Sequence, residues 1–71
     1  MFYVIENYTG EVLFTSPNKE DCEKFCGKVA AAENYGFYRS WAIGDNLFMD
    51  CGRRVFVITD NLSGLNRQNQ I

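Results

Sequence analysis

Phe2-Tyr3-Val4-Ile5-Glu6-Asn7-Tyr8-Thr9-Gly10-Glu11-Val12-Leu13-Phe14-Thr15 decides the fold of this 71-residue chain. Two β-branched and aromatic runs, 2–6 and 11–15, flank Asn7-Tyr8-Thr9-Gly10. Asn at the first position and Gly at the fourth mark a type I turn closed by a left-handed residue. The stretch therefore reads as a β-hairpin with a three-residue loop and a G1 bulge. With Asn7 opposite Glu11, Phe2, Val4, Val12 and Phe14 share one face, and Tyr3, Ile5 and Leu13 share the other. Both faces are apolar. A sheet packed on one side alternates apolar with polar residues, so this pattern demands cover on both sides.

Beyond the hairpin, Ser16-Pro17-Asn18 opens a helix, with Ser16 as N-cap and Pro17 preset for the first turn, or with Asn18 as the cap and Asp21 three residues on. Glu20 and Asp21 suit the positive end of the helix dipole. Cys22, Phe25, Cys26, Val29 and Ala32 recur at helical spacing, while Glu20, Glu23, Lys24 and Lys28 fall elsewhere. Tyr35-Gly36 ends the helix, with Gly36 at the left-handed cap position. A third strand follows at 37–43, broken by Gly44-Asp45-Asn46. Residues 47–51 form a weaker extended run, and 55–59 carry the strongest strand pattern in the chain. The expected architecture is α+β: β-β-α-β-β, a small, mainly antiparallel sheet with one helix packed on one face. Residues 1–60 form a single domain and 61–71 a polar C-terminal tail, irregular or frayed.

Composition narrows the function classes. Seven Lys and Arg against nine Asp and Glu leave a net charge of -2, which gives no electrostatic argument for nucleic acid. There is no histidine, so Ser-His and Cys-His nucleophile arrangements cannot form within one chain. The acid pairs Glu20 with Asp21 and Asp45 near Asp50 stand at a helix start and at turns, where acids serve structure. The expectation is a non-enzymatic protein without a cofactor. Cys22, Cys26 and Cys51 lack the twice-repeated close pairing of a structural zinc site, so they read as small buried hydrophobes and no metal is expected. On one helix stripe, Cys22 and Cys26 stand about 5 to 6 Å apart between Cβ atoms, too far for a relaxed disulfide. Reduced thiols, a strand beginning directly after Met1 and no apolar run of membrane-spanning length give a cytoplasmic reading with no membrane partner.

The unfilled requirement is cover for the second sheet face. If Tyr38, Ser40 and Ala42 lie beneath the helix, Phe37, Arg39 and Trp41 point to the far side and join Tyr3, Ile5 and Leu13. Trp, Tyr and Arg around an apolar centre have the composition of a protein-interface hot spot. These six residues are the candidate protein-binding site, for a second copy in a homodimer or for a different protein. A curled sheet, the run 47–51 or the tail are the alternative covers. The second functional reading is a module binding single-stranded nucleic acid through sheet aromatics, with Tyr38, Trp41, Arg53 and Arg54.

A domain starting at its own Met1, the tight hairpin Tyr8-Thr9-Gly10-Glu11 and the Ser16-Pro17 helix start resemble the small accessory proteins of tailed bacteriophages. That resemblance implies a protein that binds a host or phage macromolecule and modulates or inhibits it. It carries no functional residue over to this chain.

Overall fold

A computed structural model describes residues 1–32, 39–50 and 54–62. Strand β1 (Phe2–Glu6) turns into β2 (Val12–Ser16), α1 (Lys19–Ala32) follows, and then come β3 (Arg39–Ile43), β4 (Asn46–Asp50) and β5 (Val55–Thr59). The strands form one antiparallel sheet in the order β2-β1-β5-β4-β3. This is the expected α+β fold with a helix on one face. The weaker run expected from residue 47 onward, not counted among the strands of β-β-α-β-β, supplies a full strand, β4 (Asn46–Asp50). The reason is its alternation: Leu47 and Met49 face the helix side while Phe48 faces away.

β5 takes the centre because it is apolar in both directions. Phe56, Val57, Ile58 and Thr59 are all buried, Phe56 and Ile58 in one cluster and Val57 in the other. The helix side gathers Val4, Cys22, Cys26, Ala30, Met49, Phe56 and Ile58, with Phe14 stacked on Phe25 at 4.8 Å between ring centroids. On the helix, Ala30 is buried and Ala32 exposed. The inward stripe advances by four residues from Cys22 to Cys26 to Ala30, so the expected place of Ala32 on it belongs to Ala30.

The hairpin loop is one residue longer than expected. Glu6 N–H donates to Glu11 O at 2.9 Å and Gly10 N–H to Glu6 O at 2.8 Å, so Glu6, not Asn7, faces Glu11. Side chains stabilise the wider loop: Thr9 N–H donates to Glu6 Oε1, and Glu11 N–H to Thr9 Oγ1. Gly10 sits at φ 76°, where a Cβ is disfavoured. Asn7 N–H meanwhile donates to Val55 O at 2.8 Å and extends the pairing of β1 with β5.

The longer loop has a consequence for the faces. Ile5 pairs with Val12, Val4 pairs with Phe14, and Leu13 lies between them in a bulge. Val12 therefore moves to the face of Ile5, and Leu13 packs with the helix-side cluster. A bulge inserts one residue and restores the register beyond it, so Val4 opposite Phe14 and Tyr3 opposite Thr15 stand as the alternation predicts.

At the helix start Asn18 is the cap position and its carbonyl accepts from Asp21 N–H. Ser16 acts two residues earlier, at the end of β2: its Oγ accepts from Asn18 N–H at 3.1 Å and its hydroxyl donates to Asp21 Oδ2 at 2.8 Å. The expected helix end at Tyr35-Gly36 and the tail beyond 62 lie outside the described residues.

Candidate interaction surface

One helix about 10 Å across spans roughly two interstrand gaps of about 4.8 Å. Here it lies over β2, β1 and β5. Its main packing is on these three strands, and Ser40 and Ala42 on β3 are exposed, not buried beneath it as the small side chains suggested. Tyr38 and Phe37 lie outside the described residues. All five residues of β3 are exposed, and β3 forms one edge of the sheet.

The far face divides into a covered and an open part. Opposite the helix, pairing aligns Val12, Ile5, Val57, Phe48 and Trp41 in one row across all five strands. The middle of that row is closed: Ile5 is 1% exposed and Val57 0%. Tyr3, Val55 and Leu62 pack against it. Leu62 arrives there because Thr59 ends β5 with a turn, its Oγ1 accepting from Asn61 N–H at 3.0 Å and donating to Asn46 Oδ1 at 2.6 Å. Ile5 is therefore core. Tyr3 is half-buried, Ile5 is sealed, and Leu13 packs on the other side of the sheet.

Both ends of the row stay open: Val12 on β2 is 43% exposed, and on β3 Trp41 is 37% exposed and its face neighbour Ile43 53%. Trp41 stacks on Phe48 with ring centroids 5.6 Å apart and an interplanar angle of 7°. The Arg39 guanidinium stands 5.8 Å from the Trp41 ring centroid, and its Nε lies 3.7 Å from Asp50 Oδ2 on the facing strand. Of the six expected residues, the structure brings Arg39 and Trp41 together here and places the other described ones elsewhere. Ile43 belongs to this patch and was missed, although it lies two residues from Trp41 and shares its face by strand parity.

The two sheet edges differ. β2 carries the Leu13 bulge, which bends and twists a strand and blunts it as a pairing template. β3 pairs with β4 from Arg39 to Ile43 in unbroken register. The β3–β4 connection is the two-residue turn Gly44-Asp45, with Gly44 at φ 60°, the positive value that a primed hairpin turn requires. Such a turn makes Ile43 and Asn46 a hydrogen-bonded pair. By alternation, Ser40 and Ala42 then direct their N–H and C=O groups outward, away from β4.

Other clusters have structural tasks. Glu20 and Asp21 sit in the first helical turn, and Asp21 is engaged by Ser16. Asp45 and Asp50 lie at opposite ends of β4. Glu6, Glu11 and Arg54 line a shallow cleft at the hairpin end, where Glu6 holds the loop. Cys22 and Cys26 are buried thiols, and burial, with Asp21 and Glu23 adding to it, pushes the Cys22 pKa up. Cys51 and Arg53 lie outside the described residues. Among the described residues no group of His, Cys, Asp and Glu is arranged to hold a metal ion, and no helix is long and apolar enough to cross a membrane. Comparison with protein-family models, with curated proteins and with solved structures returns no match.

Proposed function

We propose that the chain is a non-enzymatic protein-binding module that receives a polypeptide strand along the β3 edge. One observation carries the reading: an edge strand of regular register, exposed over its whole length, presents Trp41 and Ile43 beside outward-directed backbone groups. Strand addition takes affinity from backbone hydrogen bonds and specificity from alternate side chains. Trp41, held by Phe48 and Arg39, is the anchor, and Arg39 orients the incoming chain.

Binding of single-stranded nucleic acid draws less support. Phe48 and Arg39 already engage the indole of Trp41, so a base would have to displace one of them to stack. The net charge of -2 opposes a phosphate backbone.

The test is site-specific photo-crosslinking in the producing cell. A benzophenone side chain at Ile43 is expected to trap a protein, and the same group at Lys28, on the exposed side of the helix, is not. Equal yields at both positions, or none at Ile43, refute the reading.

A further inference from the structure

The edge that accepts a strand is also built to match itself. We infer that the strand it receives is β3 of a second copy, antiparallel, with the twofold axis at Trp41; this deepens the proposed function and rests on it. Three observations on β3 lead to the same register.

The first is backbone parity. Ser40 and Ala42 are the residues whose backbone groups point outward, so a bonded antiparallel pair must join one of them to one of them. Centring on Trp41 sets Ser40 opposite Ala42 of the second copy, and Ala42 opposite its Ser40. Both outward residues are then used within the strand, giving four backbone hydrogen bonds. Centring on Ser40 or Ala42 pairs only that residue with itself, and gives two.

The second is charge. β3 has Arg39 at its start, and the turn after Ile43 carries the exposed Asp45. Antiparallel pairing about Trp41 sets Arg39 opposite Ile43 of the second copy, beside the turn that bears its Asp45, and symmetry repeats the arrangement. Parallel pairing would place the two Arg39 side chains together, which is unfavourable.

The third is apolar continuity. Trp41 faces Trp41 in a pair without backbone bonds, where side chains approach most closely. The row from Val12 to Trp41 then runs on into the second molecule as one apolar band. The bulged β2 edge cannot offer the same regular ladder, so association closes at two copies instead of growing into a filament.

A junction of one five-residue strand is small, so dimerisation is expected at protein concentrations on the order of 10 μM to 1 mM. Sedimentation equilibrium of the full chain across that range should raise the mass from 8.2 kDa toward twice that value. Ala42→Pro removes an outward N–H at an edge position where proline is tolerated, and it is expected to weaken association at least tenfold without changing the circular dichroism spectrum. Asp45→Arg removes the acid offered to Arg39 of the second copy, leaves the pairing of Arg39 with Asp50 in place, and should weaken association. A parent that stays monomeric throughout, or a dimer indifferent to Ala42→Pro or to Asp45→Arg, overturns the self-pairing. A monomeric parent that still crosslinks another protein at Ile43 refutes the dimer and keeps the binding edge; absence of any Ile43 crosslink, from monomer and partner alike, removes both.

Discussion

Ile5 separates a sealed second core from an open binding face. It lies on the side of the sheet away from the helix, between Val12 and Val57, and is 1% exposed. Removing one methylene from such a site costs about 0.5 to 1.5 kcal/mol, and truncation to alanine about 2 to 5. A domain of this size has roughly 3 to 5 kcal/mol in all. Ile5→Ala is therefore expected to leave most of the chain unfolded at 25 °C, and Ile5→Val is the variant to measure. With a urea slope of about 1 kcal/mol/M for a small domain, Ile5→Val should lower the midpoint by about 0.5 to 1.5 M. The assay is urea unfolding followed by far-ultraviolet circular dichroism at low protein concentration, where association does not contribute. Trp41→Ala is the counterpart on the open part of the same row. Its ring pair with Phe48 is worth about 0.5 to 1.5 kcal/mol and the Arg39 contact about 0.5 to 1, in addition to the area the indole buries. Trp41→Ala should therefore lower the midpoint as well. If Ile5→Val moves the midpoint by less than about 0.2 M, the second face is not packed as described.

Gly44→Ala should cost about 1 to 2 kcal/mol, because φ is 60° and no atom lies within 4 Å of an added Cβ, so the whole cost is backbone strain. Gly44→Asn should cost less, and thermal unfolding of the pair measures the difference. Ser16→Ala removes the acceptor for Asn18 N–H and the partner of Asp21, and should cost about 0.5 to 2 kcal/mol in urea unfolding. Cys22 has its pKa raised above 9.0 by burial and by Asp21 and Glu23. A raised folded-state pKa means stability that is full below the unfolded value and declines as pH rises through the folded one. Stability should therefore fall above about pH 9, and Cys22→Ala should flatten that fall. At pH 7.5, a thiol reagent should modify Cys22 only at the rate of unfolding. A flat profile above pH 9 in the parent would contradict the assignment.

Local patterns were enough for several elements. The hairpin, the helix start at Ser16-Pro17-Asn18 and β5 at 55–59 follow from turn chemistry, capping and β-branched runs, all of which act over a few residues. The register at the hairpin tip was not legible, because it depends on the Glu6 carboxylate reaching Thr9 N–H and on β5 claiming the N–H of Asn7. One extra loop residue exchanged the faces of Val12 and Leu13, since side-chain direction in a strand has period two. For the candidate surface, parity joined Arg39 to Trp41 correctly. It also placed Ile5 on the far face; the run 47–51 and the tail were the alternative covers, and Phe48 and Leu62 from them pack there.

The amino-acid sequence by itself determined that this chain makes strands apolar on both sides and an amphipathic helix that can cover one of those sides. That follows from residue type and spacing. Only the tertiary structure decided which apolar residues stay open. Inserting β5 between β1 and β4 sends β3 to an edge, away from the three strands on which the helix mainly packs. The turn at Thr59 brings Leu62 over Ile5, Phe48 and Val57. Strand order and chain reversal depend on contacts between segments far apart in sequence, so the exposed end of the row at Trp41 and Ile43 emerges only when the sheet is assembled.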